Sequence, residues 1–320
     1  MLKDFDAIIS LIKQSRANAV RMVNSELIQL YWEIGLLIHN KLEKAEWGSS
    51  VVSQLSCEIQ KNIPHGKGFS DKNLWRMKKF YEIYCDDPKL SPAVREISWT
   101  HHVILISRCS SKEERNFYLE RTLKENYSKR ELDRQISSSL YERSMLNVSL
   151  TGRIPEQLKN ISHHDQFKDT YILEFLGLSE THSEKELQRG LVKEMSKFIL
   201  ELGKDFLFVG QEYLIQIGNS DFYIDLLFYH RDLQCLVAFE LKADKFRPEH
   251  LGQINLYLEA LDRDVKKPKE NPSIGVLLCK DQDHEVVEYA LSRSLSPTMI
   301  AEYKLRLPDK KQLIQKLKEI

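Results

Sequence analysis

Three charged side chains stand inside two apolar runs: Asp225 in Asp221-Phe-Tyr-Ile-Asp225-Leu-Leu-Phe-Tyr-His230, and Glu240 with Lys242 in Cys235-Leu-Val-Ala-Phe-Glu240-Leu-Lys242-Ala. Both runs are rich in β-branched and aromatic residues and read as strands. Successive strand side chains point to opposite faces, so Glu240 and Lys242 share one face while Val237, Phe239 and Leu241 pack the other. The same alternation predicts that Phe222, Ile224, Leu226 and Phe228 face away from Asp225. A hairpin between the strands would set Asp225 beside Glu240. At about 4 Å two bare carboxylates repel by roughly 4 kcal/mol at an effective dielectric near 20, so the pair demands a cation or a proton. A divalent metal is the natural answer. A Glu and a Lys on a half-exposed strand are most often a solvated face, but Val-Ala-Phe-Glu-Leu-Lys-Ala reads as a central strand. Carboxylates are rarely buried there unless paired or ligating.

Gln253 and Tyr257 follow on a helix predicted over 248–261, four residues apart and therefore on one face. Upstream, Ser183 with Glu186 forms a capping box, and Leu187, Leu191, Met195, Phe198, Ile199 and Leu202 make one apolar stripe that Gly203 ends. Strands are predicted at about 206–216, 221–230 and 234–243, then at 273–279 and near 301–307. Helices are predicted at 283–293 and from Pro308. The order is α-β-β-β-α-β. Residues 1 to about 145 carry helical spacing throughout, with Pro64, Pro88 and Pro92 in loops. Within them the turn Pro64-His-Gly-Lys-Gly68-Phe leads to Ser70 as N-cap and to a helix with Leu74, Met77 and Phe80 or Tyr81 on one side. Lys72, Arg76 and Lys79 lie on another, so a helix-turn-helix with a DNA-facing basic face and an ordinary amphipathic helix are both open.

An Asp on one strand followed by Glu-x-Lys on the next, in this element order, resembles the PD-(D/E)XK phosphodiesterases, and Gln253-x-x-x-Tyr257 is similar to the Q-x-x-x-Y motif of their RecB-type branch. Ile224 stands where the superfamily name calls for proline. The whole chain resembles the bacterial YhcG family. The matching segments are Tyr31-Trp-Glu-Ile-Gly35, Gly66-Lys-Gly-Phe-Ser70, Asn73-Leu74, Phe80-Tyr81, Ile97-Ser-Trp-Thr-His101, Phe117-Tyr118 and Leu173-Glu-Phe-Leu-Gly-Leu178. That family joins a helical N-terminal domain to a C-terminal PDDEXK nuclease domain. The resemblance implies an α+β chain: an all-helical domain over 1–150, a linker over 151–182, and an α/β restriction-endonuclease-like domain over 183–320. It also implies an Mg²⁺- or Mn²⁺-dependent nuclease acting on DNA, in repair, mobile-element handling or defence, leaving 5′-phosphate and 3′-hydroxyl ends. Asp225, Glu240 and the Leu241 carbonyl would bind the metal. Lys242 would hold the attacking water or offset developing charge, and Gln253 and Tyr257 would position water or backbone. One departure stands out: where the family has Leu-Glu-x-x-Leu, this chain reads Leu187-Gln188-Arg189-Gly190-Leu191, which makes Glu184, one turn earlier, a candidate substitute ligand. A second class follows from that departure, a degenerate nuclease core serving as a nucleic-acid-binding or protein-interaction module.

Composition bounds these readings. With 320 residues, 42% hydrophobic and 29% charged, the chain fits a soluble globular protein of two domains. Its five cysteines are scattered without a C-x-x-C pair, so they are expected to be reduced and structural. No apolar stretch is long enough for a bilayer and the N-terminus does not read as a secretory signal, so a cytoplasmic location is expected. Residues 1–160 hold 25 Lys+Arg against 20 Asp+Glu, or +5; the remainder holds 22 against 27, or −5. The basic half suits contact with a polyanion and the acidic half suits a metal site. His101-His102 and His163-His164 lack completing ligands and are read as structural, and Trp32, Trp75 and Trp99 as core. Neither G-x-x-x-x-G-K-S/T nor G-x-G-x-x-G occurs, so no nucleotide cofactor is expected. A homo-oligomer remains open.

Overall fold

The computed structural model describes residues 2–44, 48–63, 66–86, 91–148, 167–292 and 296–318; Pro64, Pro88, His163 and His164 lie outside them. The chain divides into two units, 1–136 and 137–320.

In the first unit, α1 (Leu2–Glu43) is followed by α2 (Ser49–Asn62), α3 (Asp71–Tyr84), α4 (Pro92–Glu96), α5 (Trp99–Arg108), α6 (Lys112–Glu125) and α7 (Lys129–Ser137). Apolar residues at three- and four-residue spacing bury Tyr31 and Ile38 of α1 against Val52 of α2 and Leu74 and Met77 of α3. The Asn24 amide reaches from α1 to the Arg95 and Ile97 carbonyls at 3.0 and 3.1 Å, satisfying the end of α4. Gly35 marks where α1 and α3 cross most closely: a Cβ there would collide with the Met77 carbonyl and stand 2.9 Å from Tyr81 Cβ. Gly35→Ala is therefore expected to destabilise this unit by about 2–3 kcal/mol, read as a lower urea midpoint at unchanged m-value. Gly68 takes a left-handed φ of 100° and lies where a Cβ would be 2.7 Å from the Tyr31 hydroxyl, which accounts for the Gly66-Lys-Gly68 turn. Ser70 stands at the N-cap of α3 without a side-chain capping bond; its carbonyl accepts from the Asn73 and Leu74 amides.

Trp32, Trp75 and Trp99 and the first histidine pair are structural. Trp99 donates to the Asn73 side chain at 2.9 Å and packs edge-on against Tyr31 and Phe80, and Trp32 packs against Tyr81. His102 is fully buried, bonds the Val94 carbonyl at 2.7 Å, and is held neutral by burial, its pKa pulled down to about 4. His101 bridges Ser98 and the Tyr127 carbonyl.

The second unit begins with α8 (Leu140–Val148) and β1 (Thr170–Ile172), followed by α9 (Glu184–Lys193), α10 (Met195–Leu202), β2 (Phe206–Ile217), β3 (Ser220–His230) and β4 (Cys235–Lys245). It continues with α11 (His250–Ala260), a π-helical turn at Leu261–Val265, β5 (Ile274–Asp281), α12 (His284–Leu291), β6 (Thr298–Lys304) and α13 (Lys310–Lys318). The sheet order is β1-β6-β5-β4-β3-β2, antiparallel among β2, β3 and β4 and parallel from β4 to β1. The expected α-β-β-β-α-β order is present. One face packs Leu187, Leu191, Phe198 and Leu202 of α9 and α10 on Phe228, Val237, Phe239 and Leu241. The other packs Leu251, Ile254, Tyr257 and Leu258 of α11 on Leu227, Leu236, Ala238 and Leu277. No helix among the described residues is long and apolar enough to cross a membrane.

Several expectations change. The helix predicted over 183–202 is two helices, because Glu194 leaves the helical region at φ −104°, ψ 28°. The 151–182 segment read as a linker supplies β1, which pairs with β6, and Tyr171 and Leu173, which are fully buried. Residues 140–148, expected with the helical domain, belong to the second unit: Glu142 of α8 pairs with Lys310 of α13 at 3.1 Å, and Arg143 donates to the Thr170 carbonyl of β1 at 2.8 Å. Among the described residues the five cysteines are free, Cys57 and Cys85 exposed and the other three buried.

Candidate active site

The paired register of β3 and β4 runs from His230↔Cys235 to Leu226↔Phe239, and Asp225 and Glu240 are the next residues on the two strands. At that point a side chain replaces the backbone ladder: the Leu241 amide donates to Asp225 Oδ2 at 2.8 Å. β4 meanwhile continues on β5 through Glu240↔Leu277 and Lys242↔Cys279. β3 and β4 thus stop pairing where the charged residues stand, while β4 stays held by β5.

The expected parity holds on β4. Val237, Phe239 and Leu241 join the core beneath α9 and α10, and Glu240 and Lys242 face α11. On β3 the expectation fails in part: Leu226 and Phe228 lie in that same core, but Ile224 belongs to the opposite one and Phe222 packs against it. The alternation reverses at Asp225. The reason lies across the hairpin, where Gln211↔Leu226 and Tyr213↔Ile224 pair but Glu212, between them, adopts a left-handed φ of 44°. A non-glycine residue in that region inside a strand costs of order 1–3 kcal/mol and marks a local kink. Nothing in the residue types announced Glu212.

Electrostatics tie the group together. Glu240 is buried, and its pKa is pushed up to about 7, first by loss of water and second by the Asp225 charge. Burial also raises Asp225; the Leu241 amide and Lys242 pull it back, and Glu184 and Glu212 push it up again. Lys242 donates to Glu240 Oε1 at 2.8 Å and lies 3.8 Å from Glu184 Oε2. Burial pulls its ammonium down, but the charge of Glu240, with Glu184 and Asp225, outweighs this and raises the pKa. On α11, Gln253 donates to the Tyr257 hydroxyl at 2.7 Å. The tyrosine pKa is raised by burial and by the nearby Glu240 and Asp225 charges. Small residues permit this approach: Ala238 and Gly275 are register partners, and a Cβ on Gly275 would stand 2.7 Å from Ile254 Cγ1.

Glu184 opens α9 behind the Ser183–Glu186 capping box, with both reciprocal bonds formed. It meets Lys242, and among the described residues no three His, Cys, Asp or Glu side chains are placed to hold a metal. Gln188, one turn on, donates to the Asp225 carbonyl at 3.1 Å, so its amide fixes the backbone beside the carboxylate. Leu241 lies between Glu240 and Lys242, its amide held by Asp225.

The donor set fits a hard divalent cation. Two carboxylates stand where β3 and β4 stop pairing, a single ammonium offsets them, and Glu240 Oε2 is buried with no hydrogen-bond partner. An orphaned buried carboxylate oxygen is costly, and Mg²⁺ commonly uses one or two carboxylates while keeping several waters. In the first unit, Lys72, Arg76 and Lys79 share the side of α3 away from buried Leu74, Met77 and Phe80, with Lys72 and Lys79 exposed and Lys79 4.0 Å from Glu82.

Residues 164–318 match the YhcG PDDEXK nuclease domain and residues 7–143 the DUF1016 N-terminal domain. "Putative nuclease YhcG" of Escherichia coli (strain K12) is 32% identical over 348 residues, spanning 98% of this chain and 92% of its own length. A repair endonuclease from Pyrococcus abyssi is 18% identical with a TM-score of 0.28, over 41% of this chain and 50% of its own. The EndoMS–dsDNA2 complex is 19% identical with a TM-score of 0.26, over 37% and 46%. The chain thus spans about half the length of these two solved structures.

Proposed function

The chain belongs to the YhcG family of PDDEXK nucleases, and from that premise we propose that it hydrolyses phosphodiester bonds of DNA with Mg²⁺ or Mn²⁺ held by Asp225, Glu240 and the Leu241 carbonyl. The observation that carries the reading is the buried Glu240, with one unpartnered oxygen, beside the half-buried Asp225 and Lys242. When bound, the ion would supply a more acidic water and offset negative charge on the reacting phosphate. The chain's own groups do the rest. Asp225 and Glu240 present oxygens fixed by the Leu241 amide and by Lys242. The Lys242 ammonium keeps two more protons to hold a water or stabilise a phosphate oxygen. Because the Gln253 amide donates to the Tyr257 oxygen, the tyrosine proton is left to donate outward, to the DNA backbone or the attacking water. Lys72, Arg76 and Lys79 track phosphates in this reading, and the protein works in the cytoplasm.

Gln188 favours a second reading, since it acts as a backbone donor where the family pattern has a carboxylate. In that case the site between β3 and β4 binds but does not cut. The full chain, incubated with linear, nicked, branched and single-stranded DNA in Mg²⁺, Mn²⁺ or EDTA, separates the two. Metal-dependent cleavage abolished by EDTA is expected. Intact DNA on every substrate, with DNA binding retained, selects the second reading.

A further inference from the structure

We propose that α1 pairs antiparallel with α1 of a second copy of this chain, through an apolar seam running nearly its full length. α1 has 42 residues, about 63 Å of helix. Its buried residues Ile28, Tyr31 and Ile38 lie on one side of its C-terminal half. About a quarter turn away runs an exposed stripe that none of those contacts uses. Phe5, Ile9 and Ile12 begin it, 53%, 47% and 48% exposed, followed by Ala19 and Val23, the latter 70% exposed. Leu27, Leu30 and Leu37 continue it alongside the stretch of α1 that packs in the first unit, on a different side of the helix.

The spacing points to a helical partner. Positions 5, 9, 12, 16, 19 and 23 alternate by four and three, as do 27, 30, 34 and 37 after one four-residue step, with Ile34 shared with the first unit's core, and such a repeat keeps one seam facing another helix. The single charged position on the first run is Arg16. In a parallel pair it would face its own copy across the seam. An antiparallel two-fold in which paired positions add to 42 instead sets Arg16 against Glu26 at the seam's edge, twice, and sets Phe5 with Leu37, Ile12 with Leu30, Ala19 with Val23 and Ile34 with Ile8, while Ile9 and Leu27 lie beside the aliphatic stem of Glu33 and beside Ser15. A two-fold contact requires this self-complementarity. The exposed apolar area of the stripe, with the flanking Ile8 and Val20, is roughly 800 Å² per copy, the share each partner gives to a standard specific interface. The assignment is independent of what the second unit catalyses.

Sedimentation equilibrium of the full chain tests it. The native protein is expected at twice the chain mass at micromolar concentration. Arg16→Glu and Glu26→Arg should each weaken the dimer at least tenfold, and the double variant Arg16→Glu/Glu26→Arg should return to within about threefold of native. Val23→Glu should give a monomer. A native chain that is monomeric at 100 µM overturns the proposal, as would single reversals without effect or a double variant no tighter than the singles. A native monomer that floats with anionic lipid vesicles would also overturn it, reassigning the stripe to a membrane surface.

Discussion

Asp225→Asn should leave the protein folded and reduce phosphodiester cleavage by at least a thousandfold, with Mg²⁺ binding lost in calorimetry. The substitution keeps an acceptor for the Leu241 amide, so β3 and β4 still part in the same way, but it removes one of the two carboxylate charges at the site. Removing it also relieves Glu240, whose pKa is raised partly by Asp225. Without metal, the variant should therefore gain on the order of 1 kcal/mol of stability at pH 8. The pH dependence has a definite sign. A carboxyl raised from 4.5 to about 7 binds its proton more tightly in the folded state than in the unfolded one. Its stabilising contribution is complete below about 4.5 and is lost as pH rises through 7. The metal-free native chain should lose stability across that window, and Mg²⁺ affinity should climb across it, because the ion competes with the proton. Calorimetric isotherms that coincide for native and variant chains would remove Asp225 from the ligand set, and flat stability between pH 5 and 8 would deny the strained pair.

Changing Lys72, Arg76 and Lys79 together to Ala is the second large effect. If all three contact phosphates, the slope of log affinity against log salt should flatten by about 2–3 units. Lys79 lies 4.0 Å from Glu82, so part of its charge is already answered within α3, and the lower end of that range is the expected one. The triple variant should fold normally, since none of the three is among the buried residues of α3. Fluorescence anisotropy on one duplex at four salt concentrations gives the slope. An unchanged slope would make this helix face merely solvated.

The site was legible where it depends on local order. Alternation on Cys235–Lys245 placed Glu240 and Lys242 correctly, and four-residue spacing put Gln253 and Tyr257 in hydrogen-bond contact. What escaped depends on neighbours distant in sequence. The reversal at Asp225 comes from the left-handed Glu212 on the opposite strand, which no period-two pattern encodes. β1 is three residues long and exists because β6 and Arg143 hold it; by itself Thr-Tyr-Ile carries almost no signal. Gln188 was visible as a departure from the family pattern, but its use as a donor to the Asp225 carbonyl depends on α9 lying over β3, 37 residues on in the chain.

The order of strands in the sheet bears on how the protein is made. β1, at Thr170–Ile172, takes its place only beside β6, at Thr298–Lys304, and α8 meets its ion-pair partner only when Lys310 exists. The second unit therefore cannot close its sheet while the ribosome is still producing its middle strands, whereas the first unit, with its own buried core, can finish earlier. Closing such long-range pairs is slow because the loop entropy must be met before any contact rewards it. Until then the Tyr171 and Leu173 side chains and the far edge of the sheet stay open to other nascent chains. Synthesis should thus leave a folded helical unit tethered to an incomplete sheet, the stage at which a chaperone has most to protect.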